Sequence, residues 1–378
     1  LDPRRKVIIL YASAGHGHKK AAQAVFDAYR LLSRGVQAQT VDALTFAPSF
    51  SGNFYGRLYL FLIRHFPWFW GFLYYGSDIG AVYAVLKPIR RAMNGSLLAG
   101  LEEWLVRENP AVVIATHFMP VEVVSHLKEK DKIGSRLITV ITDYLPHYIW
   151  TAKNVDAYAV AIDETKEALI ARGAAETKIH VLGIPVEEKF FQKHSKEELT
   201  AKLNIRNGVF TVLLTSGGAA IGDTETIIQG LLGLEKPAQI LVVCGTNQQL
   251  FKRLEALSQD QASLKIFGFV NNMDELMEVS DVVVGKGGGL TITEAFAKGK
   301  PVILFQSVPG QETRNVSCVE KYQAGYAARS PREITTRVEE LMNAPEKLDG
   351  LRAGIRRISR PRAAEAIVQL AEHDTGRK

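Results

Sequence analysis

The stretch Val282-Val283-Val284-Gly285-Lys286-Gly287-Gly288-Gly289-Leu290-Thr291-Ile292-Thr293-Glu294-Ala295 decides how the chain reads. A run of β-branched residues empties into glycines and then opens a helical pattern. Glycine lets backbone N–H groups come close to an anion, and a helix N-terminus adds unpaired donors and partial positive charge. Strand, glycine turn and helix together are therefore a phosphate-binding geometry. Glu294 lies about one turn into that helix, where a carboxylate can reach sugar hydroxyls. A break at Gly299-Lys300-Pro301 precedes a second strand, Val302 to Phe305, and the stretch closes with Pro309-Gly310-Gln311-Glu312. These features point to a nucleotide-sugar site.

Working outward, the chain opens in a similar way. Lys6 to Tyr11 reads as a buried strand and is followed by Ser13-Ala14-Gly15-His16-Gly17-His18. A helix is expected from about Lys19, with Ala21, Ala22, Ala24, Val25 and Ala28 on its apolar side, and then a strand over Val36 to Val41. Further strands are expected at Val112–Ala115, Leu137–Ile141 and Ala157–Ala161. Polar residues collect at their ends: His18, His117, and Asp143 with His147. In open α/β sheets ligands bind at the carboxyl ends of the strands. Glu187 to Asn207 is charged and reads as a linker with a short helix. The pattern then restarts at Phe210–Leu214, with a second glycine turn from Thr215 to Gly222. More strands follow at Ile240–Cys244 and Leu264–Phe267, and residues 331–370 are helical. The chain is α/β, with two αβ units in tandem.

Composition fits that reading. At 378 residues the chain is long for one core, so two domains are expected. Cys244 and Cys318 sit in apolar surroundings and read as buried thiols of a reducing compartment. No Cys/His cluster has metal-ligand spacing. Residues 1–10 lack the apolar core of a signal peptide, so nothing suggests export.

Two features are uneven. Residues 1–100 hold 12 Lys/Arg against 4 Asp/Glu, net +8, whereas the whole chain is +6. Such a balance suits an anionic partner, nucleic acid or acidic lipid, and equally a merely soluble surface. Residues 43–77 hold 13 of the 33 aromatics and only two charged residues, Arg57 and Arg64. No run there reaches the roughly 20 apolar residues of a membrane span. Phe66, Trp68, Phe69 and Trp70 suit either a surface that dips into lipid headgroups or packing in a core.

Two nucleotide motifs fail. A Walker loop needs Gly-Lys-Ser/Thr after its glycines, and neither Lys286 nor Lys300 supplies it. Gly15 and Gly17 begin a dinucleotide fingerprint with Asp42 near the expected distance, but Ala21 stands at its third glycine.

Ser13 to Ala22, Thr142 to Trp150, Lys286 to Glu294 and Pro309 to Glu312, in this order and spacing, resemble the diacylglycerol glycosyltransferases of glycosyltransferase family 28. These are the plant-type monogalactosyldiacylglycerol synthases and the bacterial processive diacylglycerol glucosyltransferases. The resemblance covers about residues 6–345. It implies a GT-B fold, two Rossmann-like domains facing a central cleft. Residues 1–190 would form the acceptor and membrane-facing domain and residues 205–357 the nucleotide-sugar domain, with a helix over 358–378 available to pack back on the first.

The implied function is inverting transfer of glucose or galactose from a UDP-sugar to diacylglycerol, making a glycolipid. Anionic membrane lipids are implied partners, and neither nucleic acid, metal nor other cofactor is expected. The implied place is peripheral, on the cytoplasmic face of a membrane. By resemblance His18 is the catalytic base, with Asp143 beside it and Gly17 and His147 on the acceptor side. Donor contacts fall on Gly217, Gly218, Phe269, Val270, Lys286, Gly287, Gly288, Gly289, Leu290, Thr291, Glu294, Gln311 and Glu312. Glu294 matches the ribose-binding acid, Gln311 and Glu312 the loop holding the transferred sugar, and Phe269 and Val270 the segment reading uracil. The chain departs from the family in its run of three glycines, where proline is frequent, and in the extra His16. A polyprenyl-linked or soluble acceptor, or a UDP-sugar epimerase on the same fold, are the rival readings.

Overall fold

The computed structural model describes residues 6–13, 15–33, 35–48, 61–62, 65–215, 223–259 and 261–373. Gly217, Gly218 and residues 49–60 and 63–64 of the aromatic stretch lie outside them. The chain forms two compact units. The first comprises residues 1–187, 309–311 and 360–378, and the second residues 188–308 and 312–359.

The first unit carries β1 (Lys6–Tyr11), β2 (Gln37–Asp42), β3 (Val112–Ala115), β4 (Arg136–Val140), β5 (Ala157–Val160) and β6 (Ile179–Val181). They form one parallel sheet in the order β2-β1-β3-β4-β5-β6, with Ile8 opposite Val113 and Ile114 opposite Ile138. The inner strands β1, β3, β4 and β5 are short, largely apolar runs because both faces of the sheet are covered there, whereas edge strand β2 is polar and partly exposed. Ile8, Leu10, Val113 and Leu137 face one core, and Val7, Ile9, Val112 and Ile138 face the other. The second core is closed by helix His16–Leu32 and by helix Ala363–His373, which brings Ala364, Ile367, Val368 and Ala371 to it. Arg136 fixes that helix by donating from Nη1 to the Leu370 carbonyl at 2.7 Å.

The second unit carries β7 (Thr211–Thr215), β8 (Gln239–Val243), β9 (Leu264–Phe267), β10 (Val282–Gly285), β11 (Val302–Phe305) and β12 (Gly325–Ala328). Its sheet is also parallel, ordered β12-β11-β10-β7-β8-β9. Strand order reverses between β1 and β3 in one unit and between β7 and β10 in the other. Each reversal sends neighbouring connections to opposite faces and opens a crevice at the carboxyl edge. The Gly15–His18 turn leaves β1, and the Gly285–Gly289 turn leaves β10, so both candidate motifs stand at a switch point.

Some boundaries differ from expectation. The first helix begins at His16, three residues early, with Gly15 extended as its N-cap. Its buried face, Ala21 through Tyr29, drives the helix back through residues of poor propensity. The stretch read as a helical block over 331–370 is three helices, Pro331–Asn343, Pro345–Ile358 and Ala363–His373. Helix Gly80–Leu97, with Pro88 in its interior, has no counterpart in the sequence reading. No described helix is long and apolar enough to cross a membrane.

Candidate functional site

At the first switch point His18 sits in the opening turn of its helix, beside the end of β3. Its Nδ1 lies 2.7 Å from the Thr116 carbonyl oxygen. A carbonyl only accepts, so Nδ1 carries the proton and donates. Thr142 Oγ1, at the end of β4, lies 3.1 Å from the same nitrogen. Thr116 is buried and is itself fixed, donating from Oγ1 to the His18 carbonyl at 2.9 Å. The tautomer is thereby set, and Nε2 holds the lone pair, with no hydrogen-bond partner for it among the described residues. The His117 ring meets His18 edge-on at 4.6 Å between centroids, and Trp150 lies 6.4 Å away.

The electrostatics keep this imidazole neutral. Burial pushes the His18 pKa down, and the bond to Thr116 opposes that only in part. The helix N-terminus, with no side-chain cap and no acid in its first turn, further disfavours a positive charge. His117 is held well below the ordinary histidine range, by burial first and then by its neighbour His18. Its Nδ1 accepts from the Met119 N–H at 3.2 Å, capping helix Phe118–Glu129. Of the clustered rings, His18 is the one with an available base. His16 is exposed at the helix's first residue, and Gly17 follows it in the same turn.

The other expected residues of this unit divide. Asp143 directly follows Thr142 and is half-buried. His147 is buried, with Nε2 donating to the Tyr74 carbonyl at 3.0 Å and Nδ1 accepting from Ile149 N–H at 3.0 Å. It ties the loop after β4 to the aromatic helix Pro67–Ser77. Asp78 completes that tie by accepting from Tyr148 N–H at 2.7 Å and from Arg172 at 3.0 Å. Asp42, the acid of the dinucleotide reading, accepts from Ser13 N–H at 3.2 Å and Leu44 N–H at 3.0 Å, so it is spent on closing a turn. On the aromatic helix and its N-cap, Phe66, Trp68 and Phe69 are exposed and Trp70 is half-buried. Among the described aromatics of the stretch, the core therefore holds few.

The second switch point is built from backbone. Helix Gly289–Ala297 starts directly after β10, with Gly288 as its N-cap, no side-chain cap and no acid in the first turn. The first-turn N–H groups, through Gly289, Leu290 and Thr291, have no carbonyl four residues back. Gly287 acts differently. Its N–H donates to Ser307 Oγ at 3.1 Å and its carbonyl accepts from buried Asn315 Nδ2 at 2.9 Å. A Cβ on Gly287 would stand 2.6 Å from the Glu312 carbonyl oxygen, so only glycine fits. Glu294 is buried on the same helix.

Glu312 Oε2 accepts from Val308 N–H at 2.7 Å and closes the loop after β11. Burial pushes its pKa up, against the pull of that bond and of the Lys286 charge. Gln311 is exposed at the first position of helix Gln311–Lys321. Phe269 is exposed and Val270 half-buried just past the end of β9, on the same edge of the sheet. Ser307 and Asn315 escape sequence reasoning, since neither residue type nor spacing marks a side chain that braces a glycine turn. Cys244 and Cys318 are buried free thiols, and burial raises Cys244 to about 11.

Comparison with known proteins fits this geometry. Residues 18–186 match the family described as monogalactosyldiacylglycerol (MGDG) synthase, and residues 215–349 match the glycosyltransferase family 28 C-terminal domain. The chain is 30% identical over 375 residues to the processive diacylglycerol beta-glucosyltransferase of Bacillus pumilus (strain SAFR-032), covering 98% of this chain and 95% of that one. Among solved structures it is similar to MurG of Acinetobacter baumannii, with TM-score 0.64 at 15% identity over 98% of this chain and 99% of that one. It is also similar to Anabaena Alr3699/HepE in complex with UDP, with TM-score 0.58 at 14% identity over 97% and 100%. These structural likenesses concern the fold, a two-domain α/β architecture of GT-B type. With both halves matched and a relative aligned along nearly its full length, the chain belongs to the diacylglycerol glycosyltransferases of family 28.

Proposed function

We propose that this glycosyltransferase moves a hexose from a UDP-sugar to the free hydroxyl of diacylglycerol, with inversion, at a membrane surface. The observation that carries the reading is the His18 ring, whose Nδ1–H is committed to the Thr116 carbonyl at 2.7 Å. A ring fixed in that tautomer has Nε2 ready to accept a proton at neutral pH. The acceptor oxygen attacks the anomeric carbon on the face opposite UDP, and Nε2 takes the hydroxyl proton. The bond to the diphosphate breaks, and UDP leaves with the electron pair.

In this reading residues 1–190 take the acceptor and residues 205–357 hold the donor. The N-terminus of helix Gly289–Ala297 and the Lys286 ammonium meet the charge that grows on the leaving diphosphate. Glu294 takes the ribose, Gln311 and Glu312 the sugar hydroxyls, and Phe269 and Val270 the base. No metal or other cofactor enters the scheme. The name of the Bacillus relative supports the acceptor, and the UDP in the Anabaena structure supports the donor nucleotide. Exposed Phe66, Trp68 and Phe69 support peripheral action on a lipid surface, assigned to the cytoplasmic face.

The test is a donor-by-acceptor assay: vesicles with and without diacylglycerol, UDP-glucose or UDP-galactose, and products resolved by chromatography. The expected outcome is a glycosyl-diacylglycerol made only when both substrates are present. Consumption of UDP-sugar at the same rate without diacylglycerol would overturn the reading in favour of an epimerase or hydrolase.

A further inference from the structure

His117 carries a donor that the proposed transfer leaves unused. It follows β3 at the carboxyl edge of the first sheet and is buried. Its Nδ1 accepts from Met119 N–H at 3.2 Å, which requires a lone pair there. Burial and the neighbouring His18 keep the ring neutral, so its one proton sits on Nε2. No described residue accepts from that N–H, and the atom is not sealed from solvent. The ring is also held in place. Nδ1 is tied to the N-terminus of helix Phe118–Glu129, and the Phe118 ring lies 4.2 Å away between centroids.

The two histidines of the crevice are opposites. In His18 the proton is on Nδ1 and Nε2 offers a lone pair; in His117 the lone pair is on Nδ1 and Nε2 offers the proton. Their ring centroids are 4.6 Å apart, so one small polar group and its neighbour can meet both rings. Phe118 and buried Trp150 stand beside the pair and make the surroundings apolar. A lipid that enters here expels the water that serves the His117 N–H. A donor left unmet in such surroundings weakens binding severalfold or more. The entering molecule must therefore bring an acceptor oxygen of its own.

The chemistry of diacylglycerol narrows which oxygen that is. Its hydroxyl gives a proton to His18 Nε2 while its oxygen attacks the anomeric carbon. A hydrogen bond donated to that same oxygen would hold back the lone pair that the attack needs. The remaining acceptors on the lipid are ester oxygens, and the nearer ester sits on the carbon next to the one bearing the hydroxyl. We propose that His117 Nε2–H holds the carbonyl oxygen of that ester, so that the enzyme reads the acyl linkage as well as the hydroxyl. The inference rests on the reading of diacylglycerol as the acceptor, and it concerns how that lipid is told from its analogues. A 1,2-dialkylglycerol has the same hydroxyl and the same chains, but its ether oxygens offer no carbonyl to the ring.

The test compares transfer to a 1,2-diacylglycerol and to a 1,2-dialkylglycerol of matched chains, each in neutral detergent micelles with UDP-glucose and UDP-galactose both supplied. Wild type should favour the diacyl lipid roughly tenfold in kcat/KM, because a site that bonds a polar group penalises the analogue lacking it. His117→Asn keeps the helix cap, since asparagine also accepts from the first-turn N–H, but it removes the Nε2–H. Its preference should fall to about twofold or less, through a higher KM for the diacyl lipid alone. His117→Gln returns an N–H near the Nε2 position without the cap, and should keep a preference of about fivefold while melting at a lower temperature. A merely structural His117 predicts the opposite order, with His117→Asn the closer to wild type on both lipids. Melting of His117→Asn close to wild type shows that it folds. Equal rates on the two lipids in wild type, an undiminished preference in His117→Asn, or no preference in His117→Gln would each overturn the proposal. A wild type that glycosylates neither lipid would instead sink the diacylglycerol reading, and the proposal with it.

Discussion

The two switch points are built on one plan and equipped for different work. Each has a parallel sheet whose strand order reverses, a glycine-bearing turn at the carboxyl edge and an uncapped helix behind it. At the β1/β3 crevice the turn delivers a titratable ring, locked by a backbone carbonyl and a threonine. At the β7/β10 crevice it delivers backbone, and Ser307 and Asn315 hold that backbone in place. A doubly wound sheet thus supplies a ready crevice, and the few residues after its first strand decide whether the crevice binds or reacts.

If that contrast is right, His18→Ala should have the largest effect. Loss of a general base typically costs 10²- to 10⁴-fold, so kcat should fall on the order of 10³-fold. UDP affinity by calorimetry should stay within about twofold; an equal loss in both would mean that the two crevices are not separable. Gly287→Ala is the mirror experiment. Its Cβ would stand 2.6 Å from the Glu312 carbonyl oxygen, and overpacking of this kind costs about 1–3 kcal/mol. KM for the UDP-sugar should rise roughly tenfold or more, with the pH profile of transfer unchanged.

Thr142→Val comes next in size. Valine keeps the volume and removes the contact to His18 Nδ1, while Thr116 still fixes the tautomer. With about 1 kcal/mol for one such bond, kcat should fall about fivefold. The smallest effect is a displacement on the pH axis. The base works when neutral and its folded pKa is lowered, so activity persists as pH falls through 6.5 and is lost only below it. A kcat/KM profile with its acid limb at or above 6.5 would contradict the burial of this ring.

Much of this was legible in the residues. Continuous apolar runs ending in glycine announced β1 and β10, and their position after a first strand or before a helix announced the crevices. Glu294 could be named a candidate because it follows such a turn at short range, whereas His18 is one of several strand-end polar residues, singled out as the base only by the resemblance. The partners of His18 could not, since Thr116 and Thr142 come from strands about 100 and 120 residues further on and meet it only through sheet order. Ser307 and Asn315 are hidden for the same reason. His147 reads as a cleft histidine from its strand-end position, whereas its hydrogen bonds make it a brace for the aromatic helix.

The helix Ala363–His373 has a consequence for how the protein is made. It completes a core whose other members are in place by residue 187. During synthesis that core waits for the whole second unit to emerge, on the order of 10 to 35 s at 5–20 residues per second. Through that interval the face awaiting Ile367 and Val368 is open. The unit that begins the chain is therefore the later of the two to be sealed, and a nascent chain halted within the second unit would carry an unfinished first one.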